Sequence, residues 1–226
     1  MAALNKDTGE TVWVSGKGGP VYATPALAQV NGAAQLIAFN SDSVEGFEAS
    51  SGKSLWNFPW KTPWGNNITT PAVVGSTLFI SSGYSVGCAA YELTGEGARE
   101  LWKNKVIDSI QCDPIIQDGF VYCTAGQSDK KAGQFKCLEL KTGAEKWSTP
   151  EMGWAYVISV DGWLLCLNTV GDLFLVEMNP AAFKPITAFK GAISGQPHPV
   201  WTPPVVAHDN LYVRYKNRLI CYDLKN

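Results

Sequence analysis

The chain is 226 residues long, 46% hydrophobic and nearly neutral, with a formal net charge of −2, which supplies enough apolar material for the core of one domain. No Lys/Arg run gives it the basic footprint of a nucleic-acid binder, and no apolar stretch reaches the roughly 18 to 20 residues of a spanning helix. Twenty-two Gly and thirteen Pro against 17% charged residues favour many short strands joined by turns, with little helix.

The first element is the phrase Ala3-Leu4-Asn5-Lys6-Asp7-Thr8-Gly9-Glu10-Thr11-Val12-Trp13, which reads strand, turn, Gly, charged residue, strand, Trp. No charged-then-apolar leader precedes it in the sequence given. The phrase returns at Gly46 to Trp56 and at Cys137 to Trp147, and in a looser copy with one extra turn residue at Tyr91 to Trp102. Its tryptophans, Trp13, Trp56, Trp102 and Trp147, are 43, 46 and 45 residues apart, and a period in the forties belongs to a propeller or a solenoid.

Each period adds two further strands to the phrase. The first unit, 22–56, is expected to run Ala23 to Leu27, Gln35 to Phe39, Val44 to Glu48 and Ser54 to Trp56. The second, 69–102, runs Thr70 to Val74, Thr77 to Ser81, Cys88 to Leu93 and Arg99 to Trp102. The third, 111–147, runs Cys112 to Ile116, Phe120 to Thr124, Phe135 to Leu140 and Glu145 to Trp147. The fourth, 154–189, runs Ala155 to Val160, Trp163 to Asn168, Leu173 to Met178 and Thr187 to Phe189, with Phe189 where Trp is expected. The last, 202–226, has Pro203 to Val206, Leu211 to Tyr215 and Leu219 to Leu224 but no fourth strand. Four antiparallel strands make one propeller blade, so the chain is expected to be a single all-β propeller domain, 1–226, of about five blades. Residues 1–15 hold the end of a third strand and a fourth, which complement the last unit. The ends therefore either pair and close a five-bladed ring or stay apart as an open arc.

Gly9, Gly52 and Gly143 are expected at positive φ in the turn between third and fourth strands. Trp13, Trp56, Trp102 and Trp147 are expected to wedge between adjacent blades, with each indole N–H on a backbone partner. A second aromatic and polar cluster, Trp60, Trp64, Asn66 and Asn67, spans the connection between two blades. It either covers the seam or presents a ligand surface for a sugar or a peptide. Trp154, Tyr156, His198, Trp201 and Arg214 are candidates for another polar and aromatic surface.

The six cysteines show no CxxC and no zinc or haem spacing, and those in strand-like runs read as small buried hydrophobes. A hairpin disulfide between Cys123 and Cys137 is compatible with the sequence. His198 and His208 lack a third ligand, and Asp42 and Asp129 begin no calcium-loop pattern.

The phrase A/C-x-D/N/E-x-x-T-G-x-x-x-W resembles the tryptophan-docking repeat of the pyrroloquinoline-quinone-like (PQQ-like) propeller family, and the resemblance covers nearly the whole chain. It implies rings of seven or eight blades, so that this chain would be an incomplete, open part of one. The family includes quinone-dependent alcohol dehydrogenases, a periplasmic scaffold lipoprotein of outer-membrane protein assembly and exported repeat proteins. The resemblance therefore implies a periplasmic or exported location. The dehydrogenases use an adjacent Cys-Cys pair, a calcium held by Glu and Asn, and an Asp base. Here no two cysteines are adjacent, and Glu48, Glu139 and Asp223 recur with the repeat. The expectation is a non-catalytic binding or scaffolding module with a protein or saccharide partner and neither PQQ nor calcium. The alternatives are a quinone-dependent alcohol dehydrogenase and a carbohydrate-recognition propeller.

Overall fold

The structure is a computed structural model and describes residues 1–126, 133–194 and 199–225. It is all-β apart from one 3-10 turn at Pro63–Gly65. A two-stranded sheet, β1 (Ala2–Leu4) with β2 (Thr11–Val14), precedes four four-stranded antiparallel blades in which strands pair in chain order. Blade one is β3 (Ala26–Val30), β4 (Ala33–Phe39), β5 (Ser43–Glu48) and β6 (Ser54–Pro59). Blade two is β7 (Ala72–Val74), β8 (Thr77–Ser82), β9 (Gly87–Leu93) and β10 (Ala98–Asn104). Blade three is β11 (Ile115–Gln117), β12 (Phe120–Ala125), β13 (Gln134–Glu139) and β14 (Glu145–Thr149). Blade four is β15 (Ala155–Val160), β16 (Trp163–Asn168), β17 (Leu173–Glu177) and β18 (Pro185–Phe189). The three-stranded sheet β19 (Val205–Ala207), β20 (Asn210–Tyr215) and β21 (Arg218–Asp223) follows.

The inner strands β3, β7, β11 and β15 adjoin in succession, and the apolar side chains fill the seams between blades. Among the described residues β2 pairs only with β1, and β21 only with β20, so the sheets form an open arc. The inner strands of the first three blades and of the last sheet start later than their sequence signal, after the prolines. Thr24-Pro25, Thr70-Pro71, Asp113-Pro114 and Pro203-Pro204 precede the ladder, because a proline donates no N–H to it.

The repeated phrase folds the same way in three copies. Asn5, Glu48 and Glu139 each donate their N–H to a carbonyl five residues on, at Glu10 (2.8 Å), Lys53 (2.9 Å) and Ala144 (2.9 Å). Gly9, Gly52 and Gly143 return an N–H to Asn5, Glu48 and Glu139 at 2.8, 2.9 and 2.8 Å. Closing that loop requires the left-handed region, and the glycines stand at φ 75°, 74° and 73°. The recurrent acids serve this turn as well, for Ser51 Oγ donates to Glu48 and Thr142 Oγ1 to Glu139.

The glycine has a second duty, toward the neighbouring blade. A Cβ on Gly52 would sit 2.5 Å from the Trp13 ring, and one on Gly143 2.6 Å from the Trp102 ring. Each indole lies on the turn of the next sheet, where Trp13 Nε1 donates to Ala49 O (3.2 Å) and Trp102 Nε1 to Leu140 O (2.8 Å). Trp147 Nε1 donates to Asn179 O (2.8 Å), and its ring packs against Phe135 and Phe183. Trp56 reaches across indirectly, donating to Gln35 Oε1 (3.0 Å), whose Nε2 donates to Thr94 O (3.0 Å). At the last seam Phe189 meets Tyr222 edge-on at 5.7 Å, and the hydrogen bond comes from Tyr222 Oη to Ala192 O (2.8 Å).

All six cysteines are free, and five of them, Cys88, Cys112, Cys123, Cys137 and Cys166, are buried while Cys221 is exposed. Cys123 pairs in register with Lys136 and Cys137 with Tyr122, so the two thiols point to opposite faces of the hairpin and cannot bridge. Burial pushes the Cys88 and Cys137 thiols from 9.0 up to about 12.

Four outcomes are expected. Trp147→Ala should cost about 3 kcal/mol in equilibrium urea unfolding, since the ring is partly buried and carries a cross-seam hydrogen bond. Gly143→Val should be more destabilising than Gly162→Val. Both glycines stand at positive φ, but only the first places a Cβ on an indole; equal losses would mean that the ring does not depend on the glycine. A thiol reagent at about pH 8 should modify only Cys221 in the native protein and all six cysteines after denaturation. Because the folded state of Cys88 and Cys137 holds its protons more tightly, their contribution to stability is complete below about pH 9 and is lost as pH rises toward about 12.

Candidate functional site

The cluster Trp60, Trp64, Asn66 and Asn67 lies in the connection from β6 to β7, and the structure divides it. Trp60 is 1% exposed, donates Nε1 to Ser82 Oγ (3.0 Å) and has Lys103 Nζ 4.2 Å from its ring centroid. Asn67 is fully buried. Its Nδ2 donates to Asn40 O (2.7 Å) and Trp60 O (3.2 Å), and its Oδ1 accepts from Ser82 Oγ (2.8 Å). These two residues tie the first blade to the second and form no part of a ligand surface. A buried indole N–H and a buried amide each need partners, and Ser82 and the loop carbonyls supply them.

Trp64 and Asn66 lie outside. Trp64 is 85% exposed, the highest value among the exposed large hydrophobic residues. It packs edge-on against Tyr84 at 5.3 Å, and Asn66 Nδ2 donates to Tyr84 Oη (2.8 Å). Tyr84 belongs to the turn between β8 and β9 and was not singled out in the sequence; its only signal there is the flanking Gly83 and Gly87. Both rings sit on left-handed backbone, with φ 60° at Trp64 and 61° at Tyr84 and at Ser85. For non-glycine residues this costs about 1 kcal/mol or more each, so the surroundings hold the two aromatics in place.

Pro59 at the end of β6 and Lys61 in the loop line a cleft of about 590 Å³, where Lys17, Asp42, Glu45 and Asn57 also converge. The second proposed surface does not form. Trp154 and Tyr156 are core residues, with Trp154 Nε1 on Gly126 O (3.0 Å), while Trp201 and Arg214 are exposed and His198 lies outside the described residues. His208 is exposed at φ 51° in the turn from β19 to β20, and Asp129 too lies outside the described residues.

The buried thiols lie in the core of the second, third and fourth blades, where Cys123 Sγ donates to Cys112 O at 3.3 Å, and none of them lines the cleft formed with Lys17, Asp42 and Glu45. Among the described residues no three of His, Cys, Asp and Glu converge.

Comparison with known proteins sets this geometry in a family. No curated protein matches the chain in sequence. Among solved structures, BamB from Moraxella catarrhalis superposes with a TM-score of 0.67 at 13% identity over 96% of this chain and 64% of that one. The chain thus spans just under two thirds of that protein's length. The computationally designed Ika8 protein gives a TM-score of 0.60 at 10% identity, covering 96% of this chain and 63% of the design. The designed Ika4 protein gives 0.56 at 11%, covering 74% of this chain and 96% of the design. At these identities the likeness is one of fold. The model of the family described as outer membrane protein assembly factor BamB matches residues 1–149, and the chain with its docked, tryptophan-marked blades belongs to that PQQ-like repeat family.

Proposed function

We propose that the chain is a non-catalytic scaffolding module that binds a protein partner in the periplasm, within the assembly of outer-membrane proteins. The observation that carries this reading is the family match over residues 1–149. The use made of the repeated residues agrees with it. The acids serve their own turns and the tryptophans serve the seams, so that the repeat supplies a rigid frame. A general base must reach its proton near a bound substrate. Glu48 and Glu139 accept from Ser51 and Thr142, and Asp223 accepts from the Lys225 N–H at 2.8 Å. A scaffold needs what is left, a stiff arc with loops of varied sequence at its ends.

The direct test is binding of the purified chain to immobilised outer-membrane assembly components. Saturable binding with a dissociation constant at or below about 100 μM is expected, and none at that concentration would overturn the reading. The enzymatic alternative has its own test. Calorimetry with PQQ and calcium should give no saturable heat, whereas one-to-one binding in the micromolar range would reinstate an oxidoreductase.

A further inference from the structure

We propose that Trp64, Asn66 and Tyr84 form a stacking platform for a neutral oligosaccharide of β-linked pyranose units. The proposal is independent of the scaffold reading, and either can fail alone.

Trp64 is the most exposed of the tryptophans among the exposed large hydrophobic residues. Nine tryptophans are present, and those of the repeated phrase, with Trp60 and Trp154, all place the indole N–H on a protein acceptor. Trp64, Trp163 and Trp201 donate Nε1 to no described residue, and of these three Trp64 is the most exposed, at 85% against 37% and 60%, and the one with an aromatic neighbour among the described ring pairs. Leaving a Trp open to water forgoes the burial that makes the residue useful in a core. The ring meets Tyr84 edge-on, Asn66 donates to the Tyr84 phenol, and both aromatics occupy left-handed backbone. The result is an open ring, an unengaged indole donor, and an amide and a phenol next to it.

That combination selects the ligand chemistry. Among the large hydrophobic side chains of residues 60–70 and 83–87 only Trp64 is exposed, so the platform offers one open ring with polar neighbours. A pyranose in its chair form needs no recess. One face carries axial C–H groups that lie on an aromatic ring, and the equatorial hydroxyls project sideways, where the Trp64 N–H, the Asn66 amide and the Tyr84 phenol are the polar groups of the platform. A β-1,4-linked chain is flat and extended, and Lys61, three residues before Trp64 in the same loop, also lines the cleft where Asp42, Glu45 and Asn57 offer further hydrogen-bonding groups.

The test is calorimetric titration of the whole chain with cellohexaose and with chitohexaose. Saturable binding in the micromolar to millimolar range is expected for at least one of them, with affinity reduced about tenfold or more in Trp64→Ala and largely kept in Trp64→Tyr. Because Trp64 is exposed, Trp64→Ala should retain the native urea midpoint and circular dichroism, which separates loss of the platform from loss of the fold. Tyr84→Phe, which removes only the phenol oxygen, should weaken binding less than Trp64→Ala. The proposal is overturned if neither sugar binds saturably, or if Trp64→Ala binds as tightly as the parent. It is equally overturned if a reduced, unfolded polypeptide binds in a Trp64-dependent way while the sugars do not.

Discussion

An indole N–H crossing from one blade to a carbonyl of the next, with its ring lying on a side-chain-free residue, fixes the arrangement of these sheets. A four-stranded blade buries its faces only against neighbouring blades, and the seam must be dry to contribute. Apolar packing alone is non-directional and would let adjacent blades slide. A hydrogen bond from the outer strand of one sheet to the turn of the next removes that freedom, since a displaced indole would leave its own N–H and the turn carbonyl unpaired. The glycine is tied to the same constraint from two sides, by its positive φ and by the ring above it, which is why turn, glycine and tryptophan recur together and not separately.

The exceptions show which part of the device is indispensable. At the seam between the first two blades the looser phrase moves the receiving turn, and Gln35 spans the gap with its amide. At the last seam the tryptophan is replaced by Phe189, which has no donor, and the hydrogen bond arises from the opposite side through the Tyr222 hydroxyl. At the fourth blade the receiving turn is wider, and Trp147 finds Asn179 O with Phe183 filling the space beside the ring. What persists through all of these is an aromatic ring in the seam accompanied by one satisfied cross-seam donor.

The fold was legible in the sequence because repetition multiplies a weak signal, so that the strand order, the turn glycines and the positions of the tryptophans could be read before any contact was known. Strand starts were less legible. Ala23 to Leu27 and Cys112 to Ile116 look like strands by composition, yet pairing begins only at Ala26 and Ile115, since a proline ends the run of donors without altering the apolar pattern. The rim was the least legible part. Trp60 and Trp64 are four residues apart in one loop with similar neighbours, and their opposite fates depend on Ser82 and Tyr84, which come from a different hairpin. Nothing in local sequence could distinguish them, because the deciding partners are tertiary.

The division of labour between frame and loops has a physical basis. Repeated positions are held in place by the neighbour on each side, so a change at one must be matched at the next, and they are poorly suited to acquiring a ligand. Connections between blades carry no such reciprocal constraint, and strain can be kept there if the frame is stiff enough to impose it. The left-handed Trp64 and Tyr84 occupy such connections, flanking the buried Trp60, Asn67 and Ser82 network that anchors both loops to the seam. The placement of the exposed aromatics therefore depends on the same seam that holds the blades together. Loosening the anchor at Ser82 should blur the geometry at Trp64 before it disturbs the more distant blades, because the hydrogen bonds that hold those seams lie elsewhere.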